Sequence, residues 1–366
     1  MITTLDRYIG RSILMTSLLV LLTLLSLAGV FSFIAELEDV GKGSYSALLA
    51  AQYVLLTLPG KAYLLFAPAV LLGALLGLGA LASNSELTVM RAAGVSVGRI
   101  IRAVLLTGVG LMLFIAILGE TLLPKSEQIA EELRLTALEQ RLSVKGNSGL
   151  WVRSGQRYVN ISTVMPDFTL LDVTVLLYQD HQLKSSIGAA RAKQQGNDWL
   201  LEDINITTFE PESVEKRFVE SEVWQNLVGN DTNEPVPTLV SADVLKSLSI
   251  SPESLSARNL YDQVNYLRAN QLDSKSTELA LWVKVLSPFA TMVMLMLSLP
   301  FVFGSQRSGG AGQKIFIGIL LGISYVLLNK LLTQLALANG LAPFISALIP
   351  LLCFLAIAVI GIQRVV

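Results

Sequence analysis

The sequence predicts a membrane α-helical protein with six transmembrane helices and an inserted antiparallel β-domain, a sandwich or roll. Two observations predict it. First, the chain of 366 residues is 52% hydrophobic and only 15% charged, against about 25% charged for an ordinary soluble domain. Second, about six long stretches are apolar and almost free of ionisable residues, while nearly all the remaining charge falls in one polar block between Lys125 and Lys284. Such a chain puts its helices in a bilayer and one sizeable domain in water on one side of it. The formal net charge of -1 averages the two parts and identifies no partner; nothing points to nucleic acid. The single cysteine, Cys353, lies in the last apolar stretch, so no internal disulfide forms.

A helix crossing the hydrocarbon core needs about 20 mostly apolar residues. Ile13–Ala35 qualifies and carries no charge. It is too long for a cleavable signal peptide and reads as a signal anchor. Ala62–Ser85 is charge-free as well, with Pro68 early in it, and Ala103–Gly119 reaches full length by borrowing Leu122 and Leu123. Val285–Gln306, Ile315–Asn329 with its continuation to Ala338, and Leu341–Gln363 follow. Asn339–Pro343 separates the last two, because glycine ends helices and proline cannot continue one. Helices are required here, since unpaired backbone groups in lipid cost several kcal/mol each.

Lysine and arginine in short loops set the orientation. Arg7 and Arg11, then Arg91, Arg99 and Arg102, then Arg307 and Lys314, and finally Arg364 mark one side. The opposite loops are poorer: Glu36, Glu38 and Asp39 outweigh Lys42, and Asn339–Pro343 is uncharged. Both termini are therefore expected in the cytoplasm and the polar block outside, in the periplasm of a bacterium. The expected organisation is helices one to three over residues 1–124, with a cytoplasmic helix at about 84–94. An outer domain follows over 125–276 with its β-core at about 144–245, and helices four to six occupy 277–366.

Within the outer domain Lys125–Leu142 reads as a helical connector. Leu150–Val152, Tyr158–Ile161, Val173–Tyr178, Trp199–Leu201 and Ile204–Phe209 are rich in β-branched and aromatic residues, with turn residues between them. That pattern predicts an antiparallel sandwich or roll. Ser251–Ser276 reads as a helical return, capped near Ser256 or Asn259, with Tyr261, Val264 and Leu267 on one face.

No catalytic constellation is present. The one histidine, His181, sits in an expected turn beside Asp180 and reads as a solvated loop residue. No metal-ligand spacing occurs. Gly309–Lys314 lacks the spacing, the Ser/Thr and the preceding strand of a phosphate loop. The chain is expected to bind no cofactor of its own and to draw on a separate subunit for energy. Four groups remain as functional candidates. Ser83-Asn84-Ser85-Glu86 resembles a helix start, Leu87, Met90 and Ala93 form a short apolar stripe, and Gly94 can end the helix. The result is a short helix on the cytoplasmic face carrying Glu86 and Arg91, either a plain surface helix or one that docks on a cytoplasmic motor. Lys330 lies about 24 Å along helix five from Lys314 at 1.5 Å per residue. It either snorkels to the outer interface or lines a path for an anionic substrate. Small residues, Gly73, Gly77 and Gly79 on helix two and Ser26, Gly29 and Ser32 on helix one, let helices approach closely. Lys42, Lys61, Lys125 and Arg134 flank the outer membrane exits.

Particular residues also carry a family likeness. Leu5-Asp6-Arg7-Tyr8-Ile9-Gly10, Gly43-Ser44-Tyr45, Leu71–Gly79, Ser85–Gly94 and Gly149-Leu150-Trp151 resemble the permeases of the lipopolysaccharide-export LptF/LptG family, in order over essentially the whole chain. The opening hexapeptide resembles the LptG branch. The resemblance implies a sister permease of the LptF type, two copies of an LptB-like ATPase that binds ATP and Mg, and a periplasmic bridge of LptC- and LptA-like β-jelly rolls. It implies that the inserted antiparallel β-domain is a β-jelly-roll domain akin to that bridge, and that lipopolysaccharide enters between the permeases, past gates formed by helix one of one and helix five of the other. Glu86, Leu87, Met90 and Arg91 would couple to the ATPase. Ser26, Gly29 and Phe33 on helix one and Tyr325 and Asn329 on helix five would line the gate or cavity. The outer end of helix one departs from relatives that carry lysines there: Glu36, Glu38 and Asp39 repel phosphate unless divalent cations bridge them. Lys42, Lys61, Arg134 and Lys330 are the candidates to compensate. An ABC permease for another amphiphile, such as a lipoprotein, and a non-transporting envelope scaffold are the alternatives.

Overall fold

The computed structural model describes residues 4–138, 142–143, 150–154, 157–164, 169–179, 182–195, 198–209, 213–227, 252–269, 273–303, 311–339 and 341–364. Among them six helices are long and apolar enough to cross a membrane: α1 (Thr4–Glu36), α2 (Ala47–Ser83), α4 (Val97–Leu138), α7 (Lys275–Phe303), α8 (Ala311–Asn339) and α9 (Pro343–Gln363). A short helix, α3 (Glu86–Ala92), lies between α2 and α4. Several are longer than the apolar stretches alone require. α2 starts at Ala47 because Ser46 caps it, its side chain accepting from the Leu49 N–H, and the helix continues through Pro59. α4 runs unbroken through Pro124, so the expected third spanning segment and the expected connector are one helix. The anticipated boundary at residue 125 falls inside it. Gly309 and Gly310 lie outside the described residues.

The helices are organised around α2. In its most apolar window 72% of residues are buried, against 6% for α1 and 11% for α8. α1 and α4 pack on one side of α2, α7 and α8 on it as well, and α9 closes against α7. The glycines of α2 make this possible. A Cβ added at Gly73 would overlap the Ser17 backbone of α1, and one at Gly77 would sit 2.7 Å from Thr16 Oγ1 and 3.0 Å from the Ser12 carbonyl. Thr16 Oγ1 in turn donates to the Gly73 carbonyl at 2.7 Å. Lipid tails are as apolar as leucine, so helix association in a bilayer rests on such close packing and on hydrogen bonds between helices. On the far face of α2, Leu72 and Leu75 receive Gly318 of α8.

The inserted domain is an antiparallel sheet of β1 (Leu142–Ser143), β2 (Leu150–Ser154), β3 (Arg157–Val164), β4 (Leu170–Gln179), β5 (Gln182–Gln195), β6 (Asp198–Phe209) and β7 (Val214–Val223). From β3 to β7 it is a meander. β1 and β2 share one edge of β3, opposite Thr163–Val164 and Arg157–Ile161 respectively. β5 and β7 are absent from the sequence expectation. β5 reads Gln-Leu-Lys-Ser-Ser-Ile-Gly-Ala-Ala-Arg-Ala-Lys-Gln-Gln and lacks the β-branched density that flags a strand, yet Ile187, Ala189 and Ala192 are buried. Conversely Trp199–Leu201 and Ile204–Phe209, expected as two strands, are one.

The joint explains both. Asp172 of β4 and Asp203 of β6 have φ of +50° and +55°, a left-handed conformation that aspartate tolerates better than most residues. The register places both at the level of Ala190 in β5. At this line the inward-facing residues change parity in all three strands: Leu170 to Val173 and Val175, Ile187 and Ala189 to Ala192, Trp199 and Leu201 to Ile204. The pairing stays continuous while the sheet creases, keeping one apolar face on Trp199 and on Trp224 of α5 (Trp224–Leu227).

A 3₁₀ turn (Pro252–Ser254) and α6 (Ala257–Ala269) return the chain to the membrane. Ser256 is the cap, accepting from the Asn259 N–H at 3.1 Å, and the Glu120 carboxylate of α4 accepts from the Ala257 N–H at 3.0 Å. Leu260 and Val264 form the buried face; Tyr261, expected on it, is 57% exposed. His181 and Asp180 lie outside the described residues.

If the Gly73 contact sets the α1–α2 spacing, Gly73→Leu overpacks it at a cost of about 1–3 kcal/mol. The purified assembly should then unfold at lower temperature in a detergent melt. Gly98→Ala, which points into open space, should leave the melt unchanged or slightly raised.

Candidate functional site

Three groups of residues at three depths make up the candidate site. The lowest is α3. Ser85 occupies its N-cap position but has φ of +61° and makes no side-chain cap bond, so the expected serine cap is not formed. The N-terminus is held by the Val89 N–H to Ser85 carbonyl bond at 2.9 Å instead. The C-terminus follows expectation: Gly94 at φ +88° lets its N–H reach the Arg91 carbonyl and the Val95 N–H reach the Met90 carbonyl, both at 3.0 Å. This pairing satisfies the last carbonyls of a helix ended by glycine. Leu87 is buried in the membrane core and Met90 packs beside it. That anchoring leaves Glu86 half-buried and Val89 and Arg91 exposed. Glu86 also has a partner that sequence reasoning missed. The Tyr8 hydroxyl of α1 donates to its Oε2 at 2.6 Å, tying α3 directly to α1.

The middle group lies on α8. Tyr325, Asn329 and Lys330 line a cleft of about 100 Å³ with Tyr63 of α2 and Ser287 of α7. Tyr325 stacks edge-on against Phe354 of α9, ring centres 5.4 Å apart. Lys330 is exposed, and among the described residues it forms no ion pair within 4 Å. The α1 candidates are elsewhere. Ser26 is exposed and bonds its own helix at the Leu22 carbonyl, a Cβ added at Gly29 would stand 3.6 Å from Leu58 of α2, and Phe33 packs beside Tyr45. α1 and α8 thus flank α2 rather than facing each other. Each presents apolar residues outward: Leu22, Leu27, Val30 and Phe31 on α1, Ile323, Leu327 and Leu331 on α8.

The upper group joins the tips of α1, α2 and α4. Arg134 of α4 donates to Glu36 Oε2 at 3.1 Å and to Asp39 Oδ2 at 2.6 Å. Its guanidinium also lies 5.5 Å from the centre of the Tyr53 ring. Lys42 pairs with Asp39 at 2.6 Å, and Tyr45 donates to Glu36 at 2.9 Å. The loop between α1 and α2 is bound to α4 through Ser44, whose N–H reaches the Ala137 carbonyl at 2.8 Å. Gly43, at φ +56°, comes so close to that carbonyl that an added Cβ would stand 2.8 Å from it. Lys61, in α2, donates to Ser32 of α1 and feels the carboxylates of Glu127 and Glu36. Three of the four cations expected to meet lipid phosphate are therefore committed to neighbouring groups within the chain. The acidic stretch that put charge recognition in question is what Lys42 and Arg134 bind. Lys42, with Arg134, holds the Asp39 carboxyl below the ordinary carboxylate range.

A profile described as "Lipopolysaccharide export system permease LptF/LptG" matches residues 7–364. The chain is 35% identical over 358 residues to the Haemophilus influenzae protein named "Lipopolysaccharide export system permease protein LptG", covering 97% of each chain. It is 32% identical over 364 residues to the protein of the same name from Escherichia coli K12, covering 98% of each. The chain belongs to the LptF/LptG permease family.

Six apolar helices in an LptF/LptG permease make it a multi-pass inner-membrane protein. Among the described residues no group of three His, Cys, Asp or Glu side chains is placed to hold a metal ion. One further cation in this permease escaped sequence reasoning, which treated it only as the edge of the polar block. Lys284 of α7 is 94% buried by its 6% exposure, donates to the Leu255 carbonyl, and lies 5.6 Å from the Tyr63 ring centre. Its own carbonyl accepts from the Tyr63 hydroxyl at 3.2 Å. It joins the returning chain to α2 and α7, and Arg268 of α6 does the same through Glu278 at 2.8 Å. No spacing rule announces such a residue; its role comes from the turn that folds back over it.

The outer cluster yields a pH prediction. Asp39 is depressed, so its stabilising contribution is complete above the ordinary value of 3.8 and is lost as pH falls through the lower folded-state value. Spin labels on the 37–45 loop and on the outer end of α4 should hold a narrow distance distribution at neutral pH. The distribution should broaden only under strongly acidic conditions. Arg134→Gln should broaden it already at neutral pH, because two carboxylates are left facing each other.

Proposed function

We propose that this chain is the LptG-type permease subunit of an ATP-driven transporter that extracts lipopolysaccharide from the outer leaflet of the inner membrane and passes it to a periplasmic β-jelly-roll bridge. One observation carries the reading. The likeness to permeases named for lipopolysaccharide export runs from residue 7 to residue 364, so the docking helix, both gate helices and the β-domain all fall within it. The partners under this reading are an LptF-like sister permease, an LptB-like ATPase dimer carrying ATP and Mg, and LptC- and LptA-like β-rolls. Both termini are cytoplasmic and the β-domain periplasmic.

The geometry supports the division of labour. α1 packs on α2 at Gly73 and Gly77 and α8 at Leu72 and Leu75, and each turns apolar residues outward. A single chain therefore offers half of two gates, each completed by the other helix of a sister subunit. α3 offers Glu86, Val89 and Arg91 at the membrane face while Leu87 anchors it. A push on α3 reaches α1 through the Tyr8–Glu86 hydrogen bond, so the stroke of a motor beneath is delivered to a gate helix without passing through the core. Lys330, in a cleft with Asn329 and Tyr325, is the cation available to a lipid phosphate; Lys42, Lys61 and Arg134 organise the outer end of α1.

Two outcomes test this. A charge-assisted hydrogen bond is worth about 1.5–3 kcal/mol, so Glu86→Ala should weaken co-purification of the ATPase, or its coupled turnover, about ten- to hundredfold. Tyr8→Phe should keep the assembly intact but lower lipid release per ATP hydrolysed. Full ATPase recovery and normal coupling in both variants would refute the docking role. A photocrosslinker at Asn329 should capture lipopolysaccharide, and Lys330→Glu should reduce that capture severalfold, whereas Lys42→Glu should leave it close to wild type.

A further inference from the structure

A second, larger groove lies toward the other end of α1 from Ser26, Gly29 and Phe33. It is bounded by α1, α2 and α4, has a volume of about 740 Å³, and is lined by apolar side chains such as Leu14, Leu18, Val70, Leu111, Phe114 and Leu118. Its size falls in the range of small-molecule sites. Arg7 and Arg11 stand at its mouth together with Asp6. Both arginines are exposed, and among the described residues neither forms an ion pair within 4 Å. On α1 the sequence positions 7, 11, 14, 18 and 21 follow one face, so two cations head a stripe of leucines. From Arg7 to Leu21 that stripe is about 21 Å long at 1.5 Å per residue. One leaflet of a hydrocarbon core about 30 Å thick is about half its depth, so the groove takes one acyl chain beneath a headgroup held at the arginines.

Below the arginines the wall offers little polar surface: Ser17, at 5% exposure, turns its Oγ toward Gly73 in the α1–α2 seam, and Thr107 donates to the Ala103 carbonyl of its own helix. Basic pockets between transmembrane helices on the cytoplasmic side are suited to anionic headgroups.

We propose that this groove is a binding site for an anionic glycerophospholipid of the cytoplasmic leaflet, its phosphate on Arg7 and Arg11 and one acyl chain between α1 and α4. The site is distinct from the path of the exported lipid, which the reading above draws from the other leaflet, and it rests on the cytoplasmic placement of the N-terminus. Its position gives it a role. The occupant wedges against the segment of α1 that carries Tyr8, so it bears on the connection between α3 and α1.

Native mass spectrometry of the purified complex tests the site, with dioleoyl-phosphatidylglycerol and dioleoyl-phosphatidylcholine supplied in turn. Wild type should retain phosphatidylglycerol at least fivefold over phosphatidylcholine. Arg7→Gln/Arg11→Gln should abolish the preference, and Arg7→Lys/Arg11→Lys should restore most of it. Gly110→Leu fills the groove from a position whose added Cβ meets nothing within 4 Å, and should displace phosphatidylglycerol with the arginines intact. Equal retention of the two lipids by wild type, or unchanged retention by Gly110→Leu, overturns the proposal. Lipopolysaccharide capture at Asn329 is followed in the same preparations: its loss in wild type counts against the export reading, and its persistence when the lipid preference is absent counts against the groove alone.

Discussion

The contact between the glycines of α2 and the hydroxyl-bearing turn of α1 is the constraint on which the rest of the membrane part depends. Water does not drive helices together inside a bilayer, so the helices must touch closely enough for dispersion and hydrogen bonds to suffice. Gly73 and Gly77 bring the α1 backbone to the surface of α2, and Thr16 bonds across the seam. With α1 fixed there, α4 closes a groove on one side and α7 and α8 fill the other. α2 becomes the spine, with α1 and α8 packed along it.

Charge follows a second logic. At the outer ends of α1, α2 and α4, carboxylates and cations are mutually committed: Glu36 and Asp39 to Arg134, Asp39 to Lys42, Lys61 to Ser32. A partly buried charge without a partner carries a desolvation cost, so a cluster of both signs is stable where an acidic cluster alone is not. The cluster shapes the C-terminal end of α1 and holds the loop that follows it against α4. Among the described residues Lys330, Arg7 and Arg11 stand apart from this network and form no ion pair within 4 Å.

Sequence legibility differed by element for physical reasons. The spanning helices were legible because a bilayer demands about 20 apolar residues in a row, and α1, α8 and α9 advertise them. Their full lengths were not: Lys125–Leu138 is a charged extension of α4, and the apolar Ala47–Gly60 joins α2 through Pro59, a residue that normally ends a helix. β3, β4 and the halves of β6 were legible from β-branched density. β5 was not, since its burial comes from small residues whose neighbours, not their own chemistry, place them inside. The crease through Asp172, Ala190 and Asp203 defeats any reading based on strict alternation. In the site, Gly94 could be recognised as a helix stop from its type alone, whereas Ser85 looked like a cap and is not one.

What the sequence by itself determined is the class of molecule: six apolar helices, a β-domain between the third and fourth, a short helix with an acid at its start, and no catalytic set. Those follow from composition and period, which bilayer and backbone hydrogen bonding impose residue by residue. Only the tertiary structure decided which charges are available. Arg134 and Lys330 are both cations, and the residues around them in sequence do not say which is paired. One is drawn to two carboxylates 98 and 95 residues away, and the other lines a cleft and, among the described residues, forms no ion pair. Pairing depends on distance in space, and distance in space is set by how the glycines of α2 let its neighbours close in.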